Sequence, residues 1–230
     1  MALRAGRAGS HHRPGVNPSL AGTEGPGLRR ALLWRSLLGQ GLEYCSLWRR
    51  RAVGADPQGG WALRGTAIAE FDGGPAEVRY RVITDDRWQT RRVHVGVVHG
   101  DRKRALRLEA DGTGRWWSGA AQMLQFSGLV DVDLGIGAST NTLPIRRLGL
   151  SVGESAELVA AWVRFPDLRV ERLPQRYTRL SDRRYLYESL DSDFKAEFEV
   201  DDLGLVVRYE GWCERIAVFD PPRPEATGSG

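Results

Sequence analysis

The sequence predicts a mainly β protein, a single domain whose antiparallel strands curl into a spiral β-roll or barrel-like sheet with few short helices. Three observations carry this expectation. Apolar and polar residues alternate with period two from about Glu43 onward. Turn signals such as Gly73-Gly74-Pro75, Asp111-Gly112 and Pro166-Asp167 punctuate the alternation. Only residues 28–38 and 120–126 read as helix, and both stretches are short.

The alternation is clearest in AEVRYRVITDD, where Val78, Tyr80 and Val82 point one way while Arg79 and Arg81 point the other. A hairpin follows: Val93, Val95 and Val97 form one stripe, His99 to Lys103 supply the turn, and Leu106 and Leu108 return. FKAEFEV repeats the design, with Phe194, Ala196, Phe198 and Val200 inward and Lys195, Glu197 and Glu199 outward. Asp201-Asp202-Leu203-Gly204 then turns the chain into 205–209. Further strands are expected at 44–50, 61–71, 114–118, 130–134, 157–165, 168–173 and 184–189. No helical crossover is legible between them, so antiparallel pairing is expected, with the sheet curling to hide its edges.

Charge sorts the chain into a body and its ends. Of the 33 Lys and Arg and 29 Asp and Glu, Arg4, Arg7, Arg13, Arg29, Arg30 and Glu24 lie in residues 1–30. The remainder is balanced, so the net charge of +4 belongs to the N-terminal stretch. A balanced body lacks the basic face that nucleic acid requires, and a nucleic-acid partner is not expected. Residues 1–30, rich in Gly, Pro, Ser and Arg, are expected as a disordered basic extension. Residues 31–219 form the domain and 220–230 a disordered tail. No run suits a transmembrane segment or a secretory signal, which leads to a cytoplasmic expectation, with peripheral membrane contact left open. Cys45 and Cys213 show no metal-ligand pattern and read as two reduced thiols, a bridge between them being the alternative.

The segment DVDLGIGASTNTLPIRRLGL, residues 131–150, concentrates the candidate chemistry. Asp131 and Asp133 at i and i+2 of a strand share a face, ~7 Å apart along the backbone. That spacing overlaps the carboxylate pairs of glycosidases, while Arg146 and Arg147 stand near enough to neutralise them. GIGAST has no Lys, and Pro144 argues against a following helix, so no nucleotide loop is present; its glycines suit positive φ in a turn. Neither a GxSxG elbow nor an HExxH helix occurs, and no cofactor or metal is implied. The chain has eight tryptophans, enough to offer apolar faces to sugar rings or acyl chains beyond those that fill the core.

GWALRGTA, the Tyr80-Arg81-Val82 strand leading into Asp86-Arg87-Trp88-Gln89-Thr90-Arg91, DVDL…TNTLPIRRLGL, AWVRFPDL, RYLYES and DDLGLVVRYEGW together resemble the bacterial putative glycolipid-binding family. The likeness runs collinearly from Trp34 to Trp212. It departs at Leu129, where a cysteine is expected, and at Gly135-Ile136-Gly137, where a bulkier turn is expected. The resemblance implies a spiral β-roll shaped like periplasmic lipoprotein carriers, and a glycolipid or other amphipathic partner. The expected function is therefore binding without catalysis: an acyl chain in an apolar groove, with Asp131, Asp133, Asn141 and Thr142 at a headgroup. Arg91, Arg146 and Arg147 would meet an anionic group, and Trp61, Trp88 and Trp162 would supply apolar faces. The alternative is a hydrolase acting on a glycoside or lipid through the Asp131/Asp133 pair.

Overall fold

The computed structural model describes residues 27–52 and 59–222. The N-terminal half is a meander of eight strands: β1 (Leu28–Ser36), β2 (Leu42–Arg50), β3 (Gly60–Phe71), β4 (Gly74–Thr84), β5 (Thr90–His99), β6 (Arg102–Ala110), β7 (Trp116–Ser118) and β8 (Ala121–Gln122). After β9 (Asp131–Leu134) and helix α1 (Thr142–Leu148) come β10 (Ser155–Val163), β11 (Val170–Arg179), β12 (Arg184–Ser189), β13 (Lys195–Val200), β14 (Val206–Tyr209) and β15 (Cys213–Phe219). All belong to one 15-stranded sheet in the order β8 to β1, then β15 to β9. The two meanders are therefore joined where β1 pairs antiparallel with β15, from Ala31↔Phe219 to Ser36↔Cys213.

The alternating stripes lie where the sequence places them. Val78, Tyr80, Val82, Val93, Val95, Val97 and Leu108 are all buried. So are Leu32, Trp34, Cys45, Leu47 and Leu63 from the neighbouring strands. Full burial of each large apolar side chain contributes roughly 1.5–3 kcal/mol, so this continuous lining drives the curl. The C-terminal half lines its interior with rings: Phe198 stacks on Tyr209 at 5.0 Å, and Tyr177 meets Tyr187 edge-on at 5.3 Å. Phe194, expected inside, is exposed and precedes β13, although its ring still tilts against Tyr187.

Four expectations are corrected. Residues 28–36, which fit a helical spacing, are a strand, because β2 and β15 flank them on both sides and offer hydrogen bonds to each edge. The second expected helix reduces to the two-residue β8 and a 3₁₀ turn at Leu124–Phe126. The sheet is not wholly antiparallel either. β9 pairs parallel with β10, Asp131 facing Ala160 and Asp133 facing Trp162. Parallel neighbours need a crossover of a dozen or more residues. Residues 135–154 supply it, with α1 inside. Pro144 does not stop that helix because it lies in the first turn, where no backbone N–H is required.

The roll is fastened but not closed, leaving β8 and β9 as its edges. Segment 128–132 ties them to the interior: Thr90 N–H donates to the Val130 carbonyl at 2.9 Å, and Val132 N–H to Thr90 Oγ1 at 3.2 Å. Trp116 Nε1 donates to the Leu129 carbonyl at 2.7 Å. The seam is pinned by charge. Arg30 reaches Asp201 at 2.7 Å, Asp202 at 2.8 Å and Asp220 at 2.5 Å, while Arg215 shares Asp201 at 2.6 Å. Arg30, expected in the N-terminal extension, lies in β1; most of the two expected tails lies outside the described residues.

Candidate functional site

The Asp131–Asp133 face of β9 packs against the crossover, Asp131 buried and Asp133 half-buried. Asp131, 1% exposed, accepts both Nε and Nη2 of Arg147 at 3.0 and 2.5 Å. Burial pushes its carboxyl above the ordinary value, against the pull of Arg147. Asp133 Oδ2 accepts Gln175 Nε2 at 2.5 Å, and Oδ1 accepts the Thr140 hydroxyl at 3.5 Å. Both oxygens of this carboxyl are thus engaged, and burial raises it to about 6. Asn141 Nδ2 donates to the Tyr177 phenol at 3.0 Å. Thr142 is fully buried, and its Oγ1 has no hydrogen-bond partner among the described residues, as is true of the Tyr209 phenol. Of the expected site residues, Asp131 and Arg147 bond to each other, while Asp133 and Asn141 are engaged by Thr140, Gln175 and Tyr177.

Arg146, next to Arg147, turns the other way. Its guanidinium lies 5.6 Å from the Trp88 ring, which stacks on Trp61 at 4.6 Å, and Arg49 covers Trp61 at 5.0 Å. Trp88 sits at φ +65°, a costly conformation for a bulky residue. A turn built on Asp85 holds it there. Asp85 Oδ1 accepts the Arg87 and Gln89 amides at 2.9 and 3.0 Å, and Oδ2 accepts Arg91 Nη2 at 2.9 Å. Trp61, Trp88, Arg91 and Arg146 thus share one corner, packed on itself. Trp162 stands apart, its indole against Gly135 and Arg164 4.8 Å from its ring.

An opening does exist on the other side of the GIG turn. A cavity of about 280 Å³ is lined by Trp34, Glu43, Ala67, Phe71, Gly137 and Trp212, among others. Glu43, only 6% exposed, forms its floor. The Tyr80 phenol donates to Glu43 Oε1, and the Ala138 amide to Oε2 at 3.2 Å. Burial raises the Glu43 carboxyl above its ordinary value, which favours the neutral, hydrogen-donating form. Cys213 also lines the space as a free thiol, pushed up to about 12 by burial, and Cys45 is likewise free and buried.

The glycines of the turn serve this cavity. Neither Gly135 nor Gly137 has the positive φ expected of them. A Cβ on Gly137 would stand 1.9 Å from Glu43 Oε2, so the residue is there for close approach. The rim is apolar and exposed: Leu38 is 72%, Leu42 45% and Ile68 53% accessible. A second, shallower groove of about 390 Å³ continues along Leu42, Ile68 and Pro75. None of the ligand-binding residues expected from the sequence lines this cavity, though a signal for it is present. Glu43 occupies the inward phase of the alternation with Cys45 and Leu47, where an unpaired acid is out of place.

Among the described residues no cluster of His, Cys, Asp and Glu is arranged to hold a metal, and no helix is long and apolar enough to cross a membrane. No curated protein matches the sequence. A solved DUF1089 family protein from Pseudomonas aeruginosa is similar in structure, with a TM-score of 0.65 and 36% sequence identity over 74% of this chain and 92% of that one. The family model described as putative glycolipid-binding matches residues 31–215. That match spans the whole roll from β1 into β15, and on it the chain belongs to the putative glycolipid-binding family.

Proposed function

We propose that the protein binds one amphipathic lipid, of the glycolipid class its family name describes, and does so without catalysis. The observation that carries this reading is the Glu43 cavity. It combines a buried carboxyl whose hold on its proton is strengthened by burial, two tryptophans and an exposed apolar rim at one end of the roll. At about 280 Å³ it lies at the small end of ligand sites, enough for a headgroup portion or part of one chain. A sugar hydroxyl at the floor would hydrogen-bond to Glu43. Hydrocarbon leaving the mouth would lie along Leu42 and Ile68, at roughly 0.8 kcal/mol per methylene removed from water. In this reading Asp131, Asp133, Asn141, Thr142 and Arg147 hold the wall behind the GIG turn instead of touching the ligand. Hydrolysis through the Asp pair has less support, since Arg147, Gln175 and Thr140 already occupy both carboxyls.

Native mass spectrometry of the full chain, incubated with a bacterial lipid extract, tests the reading. The expected result is a discrete added mass, lost in Ala67→Phe, whose ring would fill the cavity while the fold is retained. A bare polypeptide mass from the wild-type protein refutes it.

A further inference from the structure

The charge around the Glu43 cavity has one sign. Among the described residues that line it, Glu43 and Glu70 are acids and no side chain is a Lys, Arg or His. Glu70 stands exposed at the rim, where its Oε1 accepts the Gly73 amide at 2.8 Å. The shallower groove that continues outward brings in no base either; its one charged side chain is again Glu70.

Glu43 breaks a rule that the rest of the molecule keeps. Buried acids normally sit against Arg or Lys. Asp131 has Arg147 at 2.5 Å, and Asp85 has Arg91 at 2.9 Å. The groups that face Glu43 are the Tyr80 phenol on β4, Ala138 and Ser139 in the crossover, and the thiols of Cys45 on β2 and Cys213 on β15. None of these is cationic. Tyr80 and Ala138 each donate to a different carboxyl oxygen, so each oxygen keeps a lone pair for one more donor. Burial opposes a charge on Glu43, and a cation brought by a ligand would offset that opposition.

The walls suit the same sign. Trp34 and Trp212 line the cavity, Trp34 fixed by its Nε1 donating to the Val206 carbonyl at 2.9 Å, Trp212 by edge-on contact with Tyr209 at 4.9 Å. Indole rings attract cations as carboxylates do, whereas a phosphate or sulfate would be repelled by the acids. A metal ion would need several more oxygen ligands than two carboxyls supply, and no such cluster occurs among the described residues.

We infer that the lipid taken by this cavity carries a protonated amine on its headgroup, which Glu43 holds at the floor between the rings of Trp34 and Trp212. An amino sugar with a free amine and a simple alkylamine share this chemistry. The inference rests on the binding role proposed above and adds its selectivity.

Isothermal titration calorimetry of the full chain at neutral pH tests it. The probes are decyl glucoside, decyl glucosaminide, decylamine and decyl phosphate, all below micelle-forming concentration. Glucoside and glucosaminide differ only in one hydroxyl replaced by an ammonium group. The glucosaminide is expected to bind about tenfold more tightly, the effect of one charge-assisted hydrogen bond, and the phosphate more weakly than either. Decylamine that binds well below the glucosaminide assigns the site to amino sugars; equal binding assigns it to alkylamines, with the charge selection intact. Glu43→Gln, shown to be folded by its unfolding curve, brings the ratio between the two glycosides to about one. Should that variant not fold, the wild-type series decides alone. Equal binding of glucoside and glucosaminide by the wild-type protein, or a preference for the phosphate, overturns the selectivity and leaves lipid binding standing. No binding of any probe overturns both readings.

Discussion

Asp133→Asn is expected to make the protein steadily more stable than the wild type as pH rises. Burial lifts the Asp133 carboxyl from 3.8 to about 6, so the folded state holds a proton that the unfolded chain releases in that interval. The unfolded chain then binds fewer protons than the native state, and stability falls as pH rises through the window. The shift is about two pH units, each worth 1.36 kcal/mol, which gives about 3 kcal/mol present below pH ~4 and lost above pH ~6. Asparagine removes the titration and keeps the contacts, its oxygen accepting from Gln175 and its amide meeting the Thr140 hydroxyl. Urea unfolding of both proteins across this pH range reads the effect: Glu43 is common to both, and the repulsion by Asp131 that helps to raise Asp133 is part of what the substitution removes. The variant should gain about 3 kcal/mol on the wild type between pH ~4 and ~7. Parallel stability curves, or a gap that widens toward acid, refute the enclosed, proton-holding Asp133.

Arg147→Met leaves Asp131 buried without its partner and should cost roughly 3–5 kcal/mol in thermal unfolding, most of it recovered when Asp131→Asn is added. Gly137→Ala drives a Cβ to within 1.9 Å of Glu43 Oε2 and should cost about 1–3 kcal/mol by calorimetry, a loss that Glu43→Ala relieves. His94 titrates below its ordinary value because it is partly buried and faces Arg107, Arg81 and Arg92, with only Glu109 acting the other way. Arg107→Ala should therefore raise its midpoint, and NMR of the imidazole protons reads the change directly.

Most of the strand set is legible in the sequence because a period of two is a local property. Val78 to Val82 and Val93 to Val97 declare their faces without reference to anything distant. Residues 28–36 mislead because Leu28, Ala31 and Leu32 also fit a helical spacing. Their fate is decided by Leu42–Arg50 and Cys213–Phe219, the latter far away in sequence. The crossover is hidden for a chemical reason: Pro144 looks like a terminator, whereas a proline in the first helical turn gives up nothing. The Asp131, Asp133, Asn141, Thr142 and Arg147 neighbourhood stands out as a group, since residues so close in sequence need little folding to meet. Glu43 does not, because its partners Tyr80, Ala138 and Gly137 come together only when both meanders curl around the same space.

The joint between β1 and β15 sets a timetable for folding. While the chain emerges from the ribosome, each strand of the first meander finds its neighbour within a few dozen residues. The free flank of β1, by contrast, has nothing to pair with until Cys213–Phe219 has been made. Closing so long a loop is slow, and an unsatisfied strand invites pairing with other chains in the meantime. β15, the last of the described strands, is thus the one that covers the flank of β1 and leaves only β8 and β9 as edges. Losing it would strand two half-molecules, each with a raw margin where the middle should be.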